Sequence, residues 1–323
     1  GAILVGVSSA TRDAVRGMGI PVEREFQAAS PTAQDWIRAT RVHHAAKNIL
    51  IFVPLILAHG WTSPAAVLAT LIGFLLLILV TSSTYIINDL SDLAADRRHW
   101  SKRRRPIASG RIPIPLAAGV ALGGLATGLL GGLALSPAFA LALLGYLTLT
   151  LAYSAGLKRI PVLDTLIIAV LFTTRIVMGM ALSAHAVSDW LLFFSLALFF
   201  SLATAKRHTE LLRAREAGRG TQLDGRGYSV ADADLTLVLG VASGLLSVLI
   251  LILYILLDAY ALGSYGATGW LRLMPVLLAI WIGRIWLLAH RGQMEDDPVS
   301  FALRDRASIA LGGAVAAAFL MAL

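Results

Sequence analysis

The protein has 323 residues, of which 57% are hydrophobic and only 14% are charged. Because charged residues make up about a quarter of an ordinary soluble domain, this composition indicates an integral membrane protein. The formal net charge is +8, and the basic residues stand beside apolar segments, which favours a membrane surface and phosphorylated ligands over nucleic acid as partners.

The first thirty residues differ in kind from the rest of the chain. "AILVGVS" is typical of a short buried strand, and "SATRDAVRGMG" of a capped amphipathic helix that ends at glycine. One strand and one helix cannot form a hydrophobic core alone. We therefore expect residues 1–30 to be a remnant of a soluble domain or an N-terminal arm, and residues 31–323 to form a transmembrane domain.

Apolar runs of about 17 to 25 residues predict about nine transmembrane helices, and hence an all-α integral membrane protein. Pro54 is expected to kink the short first helix, and the turn signal "LSPAF" at 135–139 separates the third helix from the fourth. The predicted spans are 45–59, 64–87, 114–134, 136–156, 161–183, 188–205, 235–258, 271–290 and 306–323.

The distribution of basic residues predicts an orientation. The connections after the second, fourth, sixth and eighth spans hold nearly all of the lysines and arginines, whereas the other connections hold only Arg272. By the positive-inside rule, the N-terminus and the charged connections lie on the cytoplasmic side. The polar chemistry is then expected at the cytoplasmic face of a bacterial-type inner (plasma) membrane.

An acidic motif, "NDLSDLAAD", follows the second span directly. On a helix Asn88, Asp92 and Asp96 form one stripe, with Asp89 at its edge. Carboxylates this close repel one another unless they share a cation, and a chain without cysteine must hold a metal through oxygen or imidazole. Mg²⁺ usually takes one or two carboxylates and completes its shell with water and substrate phosphate. The stripe predicts a Mg²⁺ site, with Mn²⁺ as a substitute, for a metal-bound diphosphate; a solvated helix end without a ligand is the alternative.

A basic strip, "RRHWSKRRRPIASG", comes next. Pro106 and Gly110 predict a turn that folds this strip back over the acidic stripe. Lys102 and Arg105 are then candidates for binding a departing diphosphate. A pure topology signal is the other interpretation of these charges.

The acidic motif resembles the NDxxDxxxD motif of the UbiA superfamily of intramembrane prenyltransferases. The resemblance runs from about Arg38 to the C-terminus and is greatest to the decaprenyl-phosphate phosphoribosyltransferase branch, from which Trp100 departs where that branch usually has proline. It implies a UbiA-like bundle with its active site at the cytoplasmic face. The other matching segments are "HHAAKNILIFVPL", "AYSAGLKRIPVLD", "RIVMGMAL", "AKRHTEL" and "DDPVSFALRDR".

A second polar cluster bears on the substrate. Superfamily members that prenylate aromatic rings carry a second acidic motif, DxxxD, at the end of the sixth span. This chain has Lys206, Arg207 and Glu210 there. Cations suit a second phosphate group, such as a lipid phosphate acceptor. A snorkelling Lys/Arg pair at a helix end is the structural alternative.

Ionisable residues at membrane depth are functional candidates by default. Asp164 and Arg175 fall in the fifth span and Arg284 in the eighth. Asp164 could neutralise Lys158 or Arg175; for Arg175, pairing and substrate contact both stay open, and for Arg284 pairing is favoured. Further substrate-binding candidates, matched to family motifs, are Lys47, Asn48, Tyr153 and Lys158.

The resemblance implies transfer of 5-phosphoribosyl from phosphoribosyl diphosphate to a polyprenyl phosphate. Catalysis would rest on the Mg²⁺ site of Asn88, Asp92 and Asp96, assisted by Asp89. The acceptor oxygen is already anionic, so positioning and electrostatics replace a strong general base. One alternative is a prenyltransferase that acts on an aromatic or quinone-precursor acceptor. Another is a lipid-phosphate transporter or scaffold, although a transporter should carry polar residues through the membrane midplane.

Overall fold

The structure is a computed structural model that describes residues 1–5, 7, 9–26, 30–183, 188–218, 222–223, 225–259, 265–294, 301–302 and 304–323. The described chain is mostly helical, which confirms the predicted all-α fold. It divides into two compact units. Unit 1 comprises Gly1–Ala45 and Ile78–Gly128, and unit 2 comprises Ala46–Leu77 and Leu129–Leu323.

The secondary structure begins with two short strands and continues as helices. The strands are β1 (Ala2–Val5) and β2 (Val22–Phe26). The α-helices are α1 (Ser9–Gly17), α2 (Ala33–Thr40), α3 (Val53–Leu57), α4 (Pro64–Ser91), α5 (Leu93–Arg98), α6 (Ile114–Leu135), α7 (Pro137–Ala155), α8 (Leu163–Leu182), α9 (Trp190–Glu216), α10 (Ala233–Tyr254), α11 (Leu273–His290) and α12 (Arg306–Ala322). Shorter helices are the 3₁₀ segments Val42–Phe52, Gly60–Thr62, Lys102–Arg104, Leu157–Arg159, Val230–Asp232 and Thr268–Arg272, and the π-helical turn Ile255–Ala259.

The N-terminal segment contains the predicted strand and helix, and also a second strand. β1 and β2 pair in parallel around α1. An ion pair of 2.5 Å between Arg12 and Glu25 links α1 to β2. β2 was not predicted from the sequence, because "VEREF" has three consecutive charged residues, and charged residues are uncommon in strands. Whether this segment is a remnant of a soluble domain stays a prediction.

In unit 1, α2 begins with a capping box. The Thr32 hydroxyl accepts from the backbone N–H of Asp35, and the Asp35 carboxylate accepts from the backbone N–H of Thr32 at 3.1 Å. The Thr32 hydroxyl also donates to the Asp35 carboxylate at 2.7 Å, and this bond, with the one from the backbone N–H of Thr32, holds the pKa of the Asp35 carboxyl below its ordinary value. Arg111 pairs with Asp35 at 2.8 Å and so ties α2 to the basic strip. The buried apolar core beside it consists of Ala39, Ile86, Ile107, Ile112, Ala117 and Ala121.

Seven helices in the described chain are long and apolar enough to cross a membrane. The prediction of nine is approximate, because its first span is a short segment, Ala45–Leu57, and its last span is Arg306–Ala322. The predicted sixth span, 188–205, was too short, since α9 continues to Glu216. Its added residues are mostly strong helix formers such as Lys, Leu, Arg and Glu. Consequently "AKRHTEL" lies inside a helix and not at its end.

Successive helices from α7 to α12 pack against one another in unit 2. Where α9, α10 and α11 meet, the Ser201 hydroxyl donates to the Gly240 carbonyl at 2.6 Å, and the Trp286 indole N–H donates to Ser201 Oγ at 2.9 Å. A Cβ atom at position 240 would lie 2.0 Å from the Trp286 ring, so only glycine allows this approach. This junction anchors the helix whose following turns carry the polar cluster of unit 2.

Candidate active site

Two buried carboxylates mark the acidic motif in unit 1. Asp89 and Asp96 are 4% and 2% exposed, whereas Asp92 is exposed. α4 ends at Ser91 and α5 begins at Leu93, but the hydrogen bond from Asp96 N to Asp92 O at 2.8 Å preserves the helical spacing. Residues seven apart share a helix face, since 3.6 residues make one turn. The structure thus buries Asp89 together with Asp96 and leaves Asp92 exposed, and the metal roles assigned to the stripe stay a prediction.

The two buried carboxylates are bridged by arginine. Arg105 Nη1 donates to Asp96 Oδ2 at 2.6 Å and to Asp89 Oδ1 at 3.1 Å. Arg41 Nη2 donates to the same Asp89 oxygen at 2.5 Å, and its guanidinium lies 4.9 Å from the centre of the Tyr85 ring. Charge-assisted hydrogen bonds of this kind are stronger than neutral ones. Both carboxylates are thus paired with fixed positive charge.

The turn at Pro106–Gly110 places Arg105 on the acidic face, and this confirms the predicted fold of the basic strip. Ile112 N donates to Pro106 O at 3.1 Å, and Gly110 has a φ of +78°, which glycine adopts readily. Ile107 and Ile112 are buried and anchor the turn. Lys102, the other predicted cation of the strip, has an exposed side chain.

Arg41 was not identified from the sequence. It ends α2 in the left-handed region, with a φ of 51°, which is uncommon for a residue other than glycine. Strained backbone of this kind clusters at functional sites. The available signal was a cation two residues before the "HHAAKN" segment, which leads into the first predicted span.

A cleft in unit 1 opens onto these groups. Its volume is about 460 Å³. Four arginines line it against one aspartate, so its charge is strongly positive and suits a polyanion. The lining residues are Arg38, Arg41, Asp89, Ser101, Arg104, Arg105 and Pro106.

The acidic pair fits a divalent cation whose other ligands come from substrate. In the described residues no three His, Asp or Glu side chains converge as a complete metal cage. Asp89 and Asp96 nevertheless accept from one guanidinium nitrogen, so both carboxylates already stabilise positive charge at one place. Because Mg²⁺ needs only one or two carboxylates when a phosphate is bound, this donor set suits it.

The polar cluster of unit 2 is centred on Asp164, which is fully buried. Its Oδ2 accepts from Arg207 Nη2 at 2.7 Å and from Arg226 Nη1 at 3.3 Å, and its Oδ1 accepts from the Tyr228 hydroxyl at 3.2 Å. Arg207 also pairs with Glu210. Asp164 therefore neutralises Arg207 and Arg226, and the predicted pairing with Lys158 or Arg175 is wrong. Arg207 is 2% exposed and held by two carboxylates, so its charge is already neutralised within the protein. Its predicted contact with a substrate phosphate stays a prediction.

Arg226 extends this cluster to Tyr153. Its guanidinium donates to the Tyr153 hydroxyl and lies 5.6 Å from the ring centre. Burial raises the pKa of the Tyr228 phenol above its ordinary value. Neither Arg226 nor Tyr228 was a site candidate from the sequence, because the connection that carries them has only a topology signal. The predicted ligands Lys158 and Lys206 are half-buried and form no ion pair within the described parts of the chain.

Arg175 is the buried cation of unit 2 that has only neutral partners. Its Nε donates to Asn48 Oδ1 at 3.0 Å, and its Nη2 donates to the Tyr146 hydroxyl at 3.0 Å. Its guanidinium lies 5.2 Å from the centre of the Phe172 ring, and the Lys47 amine lies 5.8 Å from the same centre. The residue is 8% exposed, and no carboxylate pairs with it among the described residues. Lys47, Asn48 and Arg175 are thus brought together in one place.

Arg284, the other arginine predicted at membrane depth, is paired. Arg284 donates to both carboxylate oxygens of Asp305, at 2.6 and 3.0 Å, which confirms the predicted pairing. Asp305 also caps α12 by accepting from Ser308 N at 2.7 Å. Most of the "DDPVSFALRDR" segment, whose resemblance was noted above, lies outside the described residues.

Helices long and apolar enough to cross a membrane, with buried charged residues in each unit, define the class as an all-α membrane protein. The sequence pattern of the UbiA prenyltransferase family matches residues 49–312. The chain belongs to the UbiA prenyltransferase family.

Three relatives share substantial sequence with the chain. It is 45% identical over 323 residues to uncharacterized protein y4nM of Sinorhizobium fredii, and the match covers 100% of the chain and 62% of that longer relative. It is 33% identical over 288 residues to nodulation protein NoeC of Azorhizobium caulinodans, covering 88% and 93% of the two chains. It is 28% identical over 278 residues to decaprenyl-phosphate phosphoribosyltransferase of Mycobacterium tuberculosis, covering 84% and 88%.

The fold is also similar to a solved structure. A UbiA homologue from Archaeoglobus fulgidus, bound to GPP and Mg²⁺, superposes with a TM-score of 0.62 at 17% sequence identity. The alignment covers 89% of this chain and 98% of that one. The likeness establishes a UbiA-like fold.

Proposed function

We propose that this enzyme transfers 5-phosphoribosyl from phosphoribosyl diphosphate to a polyprenyl phosphate of the decaprenyl type, with release of diphosphate, in a Mg²⁺-dependent reaction. The arginine-lined cleft at Asp89 carries this proposal, because it offers a phosphate-rich donor both cations and a pair of metal-binding carboxylates. The relative named for this activity adds support.

Four residues of the acidic motif provide the metal site. Asn88, Asp92 and Asp96 would hold Mg²⁺ with Asp89 assisting, and Asp92 is exposed where a soluble donor can reach it. A Mg²⁺ ion held by these residues would supply Lewis-acid stabilisation to the diphosphate leaving group. Arg105, together with Lys102, adds positive charge for the same leaving group. Mn²⁺, another hard divalent cation, can substitute.

The acceptor phosphate binds in unit 2. Arg175 has a full charge and only neutral partners, and an anion is what such a buried cation lacks. Lys47 and Asn48 complete this group, while Lys158 and Lys206 supply further cations. The remaining candidates, Tyr153, Arg207 and Glu210, position this end of the unit through their internal hydrogen bonds.

The acceptor oxygen needs no strong base. A phosphate monoester is already anionic near neutral pH, so it can attack the anomeric carbon once the two substrates are aligned. Inversion at that carbon follows from in-line displacement. The residues of the site therefore bind, orient and neutralise charge, and none has to remove a proton.

The orientation of the site is proposed from the positive-inside rule. The donor is water-soluble, so the basic connections and the N-terminus should face the cytoplasm of a bacterial-type inner membrane. The chain has no cysteine, which makes single-cysteine labelling straightforward. Arg103→Cys should be protected from an impermeant reagent added outside intact cells and labelled after lysis. Labelling before lysis would reverse the proposed orientation.

The decisive test of function compares two reactions. Purified enzyme in detergent receives Mg²⁺ with labelled phosphoribosyl diphosphate and a short polyprenyl phosphate, or with a prenyl diphosphate and an aromatic acid. We expect label transfer to extractable lipid only in the first reaction. Lys206→Ala should raise the acceptor KM, because the loss of a charged hydrogen bond to the acceptor phosphate costs about 1.5–3 kcal/mol of binding free energy. The control Arg16→Ala, at an exposed position, should leave the acceptor KM unchanged. Ring prenylation without phosphoribosyl transfer would establish the alternative prenyltransferase activity.

A further inference from the structure

Unit 2 contains a second cavity, of about 450 Å³, which lies within the usual size range of small-molecule sites. It is formed by helix ends, including the first turns of α9 and the π-helical turn Ile255–Ala259. π-Helical turns are rare and are frequent at functional sites. The predicted chemistry of the enzyme makes no use of this cavity.

The cavity is separate from the polar cluster of unit 2. Phe194 lines it near the start of α9, whereas Arg207 lies thirteen positions further along the same helix. At 1.5 Å per residue these positions are about 20 Å apart. A molecule in the cavity would therefore not contact Asp164, Arg207 or Arg226.

The wall combines aromatic rings with one carboxylate. Asp258 is the acidic residue among the described lining residues, and they include neither lysine nor arginine. Its Oδ2 accepts from the Ser188 hydroxyl, and Asp258 forms no ion pair within the described residues. The imidazole of His59 also lines the cavity but is not hydrogen-bonded to Asp258. The aromatic residues of the wall are Trp190, Phe194, Tyr254, Tyr265 and Phe319.

The aromatic residues form a connected surface. Tyr265 shares a hydrogen bond of 3.0 Å between hydroxyl oxygens with Tyr254, and its ring meets the Phe319 ring edge-on at 6.0 Å. The rest of the lining is mainly aliphatic, with Leu271 and Leu278 among its members. Such a wall accepts a hydrocarbon body and presents ring faces to a polar head.

Charge complementarity identifies the head group. A carboxylate in a largely apolar cavity wall is costly unless it is paired. Aromatic faces attract ammonium ions and do not attract anions. We propose that this cavity binds the ammonium group of an amphipathic amine, with the ammonium at Asp258 and the hydrocarbon body against the aromatic and aliphatic wall.

The test uses three probes of equal chain length. Thermal unfolding of the protein in non-ionic detergent is followed with n-decylamine, n-decanol and decanoate. We expect the amine to raise the unfolding temperature at a concentration at least about tenfold lower than the alcohol, because the charged hydrogen bond adds affinity. Equal effects of amine and alcohol would overturn the proposal.

Two substitutions locate the effect. Asp258→Asn should weaken decylamine binding at least about tenfold, and Asp189→Asn, at an exposed carboxylate outside the cavity lining, should leave it unchanged. If Asp258→Asn does not fold, Met274→Trp fills the cavity without altering the carboxylate and should abolish binding. Binding of decylamine that survives either folded variant would contradict the site.

The source of the ammonium group can then be assigned. Native mass spectrometry compares retention of phosphatidylethanolamine and phosphatidylglycerol. Preferential retention of the aminolipid by the wild type, lost in Asp258→Asn, would identify a lipid head group as the occupant. Equal retention of both lipids, with selective decylamine binding, would identify a free amine. If the protein prefers neither the aminolipid over phosphatidylglycerol nor decylamine over decanol, the cavity is not an ammonium-binding site.

Discussion

The acidic motif of unit 1 and the Asp164 cluster of unit 2 both combine carboxylates with arginines but differ in charge balance. At Asp164 two arginines meet two carboxylates, and the buried group is neutral within itself. At Asp89 the surrounding cleft has four arginines and one aspartate. A cluster whose charges cancel holds helices in place, whereas an excess of positive charge at a cleft favours binding of an anionic ligand. Under the proposed function, the Asp164 cluster therefore positions helices and the Asp89 cleft binds the donor.

The largest expected effect is at the acidic motif. Asp92→Asn and Asp96→Asn should each lower kcat/KM for phosphoribosyl transfer by more than about 100-fold, because loss of metal-mediated charge stabilisation is worth several kcal/mol. Steady-state kinetics on each purified variant measures this. The exposed Asp13→Asn serves as a matched control in unit 1. Near-normal activity in a folded Asp96→Asn protein would contradict the metal-site assignment.

The same site should respond to metal removal. EDTA should abolish transfer, and Mg²⁺ or Mn²⁺ should restore it, because hard divalent cations bind oxygen ligands reversibly. The measurement is label transfer before and after metal is added back. Full activity in chelator would count against a divalent cation in the reaction.

Arg207→Ala should act mainly on stability. Removal of this side chain leaves Asp164 with its closest ion pair broken in a fully buried position, which costs about 3–5 kcal/mol. Unfolding in detergent should therefore occur at much lower denaturant concentration or temperature. Arg215→Ala, at an exposed position of the same helix, is the control. An intact unfolding transition with a raised acceptor KM would instead make Arg207 a substrate ligand.

Arg175→Met should weaken acceptor binding and leave stability nearly unchanged, the reverse of the effects expected for Arg207→Ala. The guanidinium has no carboxylate partner among the described residues, so its replacement by a similar apolar volume should leave unfolding nearly unchanged. The acceptor KM should rise by about 10- to 100-fold, since a charged hydrogen bond contributes about 1.5–3 kcal/mol. Arg284→Met, which breaks the pair with Asp305, should lose stability without this change in KM. A destabilised Arg175→Met enzyme with normal KM would assign Arg175 a structural role.

The smallest effect is expected at Lys102. Its side chain is exposed, so Lys102→Ala should change the donor KM by less than about fivefold, within the 0–1 kcal/mol typical of exposed charges. The difference in donor KM between the wild type and Lys102→Ala should decrease as the salt concentration is raised, because mobile ions screen exposed charges. Kinetics at two ionic strengths measures it. A large loss that persists in high salt would place Lys102 in direct contact with the donor.

The sequence was sufficient for features that depend on local patterns. Apolar run length located the membrane-crossing helices, and Pro106 with Gly110 located the turn that brings Arg105 to Asp96. It was insufficient for pairings between distant segments. Asp164 and Arg207 are 43 positions apart, and spacing alone does not reveal which faces of α8 and α9 meet.

The acidic motif shows the same limit on a smaller scale. Four-residue spacing correctly assigns residues to shared helix faces, but it does not say which face is buried. Asp89 is buried because the turn after Arg105 and the cation at Arg41 both approach its side of the helix. That choice depends on tertiary contacts, and therefore a spacing rule ranked Asp92 above Asp89.

The segment Val42–Phe52, which carries Lys47 and Asn48, is a 3₁₀ helix of eleven residues. Runs of this helix type beyond three or four residues are uncommon, and each residue rises about 2.0 Å where an α-helix rises about 1.5 Å. Conversion of the whole segment to α-helix would shorten it by about 5 Å and rotate its side chains progressively about the axis. The segment is therefore longer than an α-helix with the same number of residues. Substitutions elsewhere in the segment that raise its α-helical propensity should displace Asn48 from Arg175, although neither of these two residues is changed.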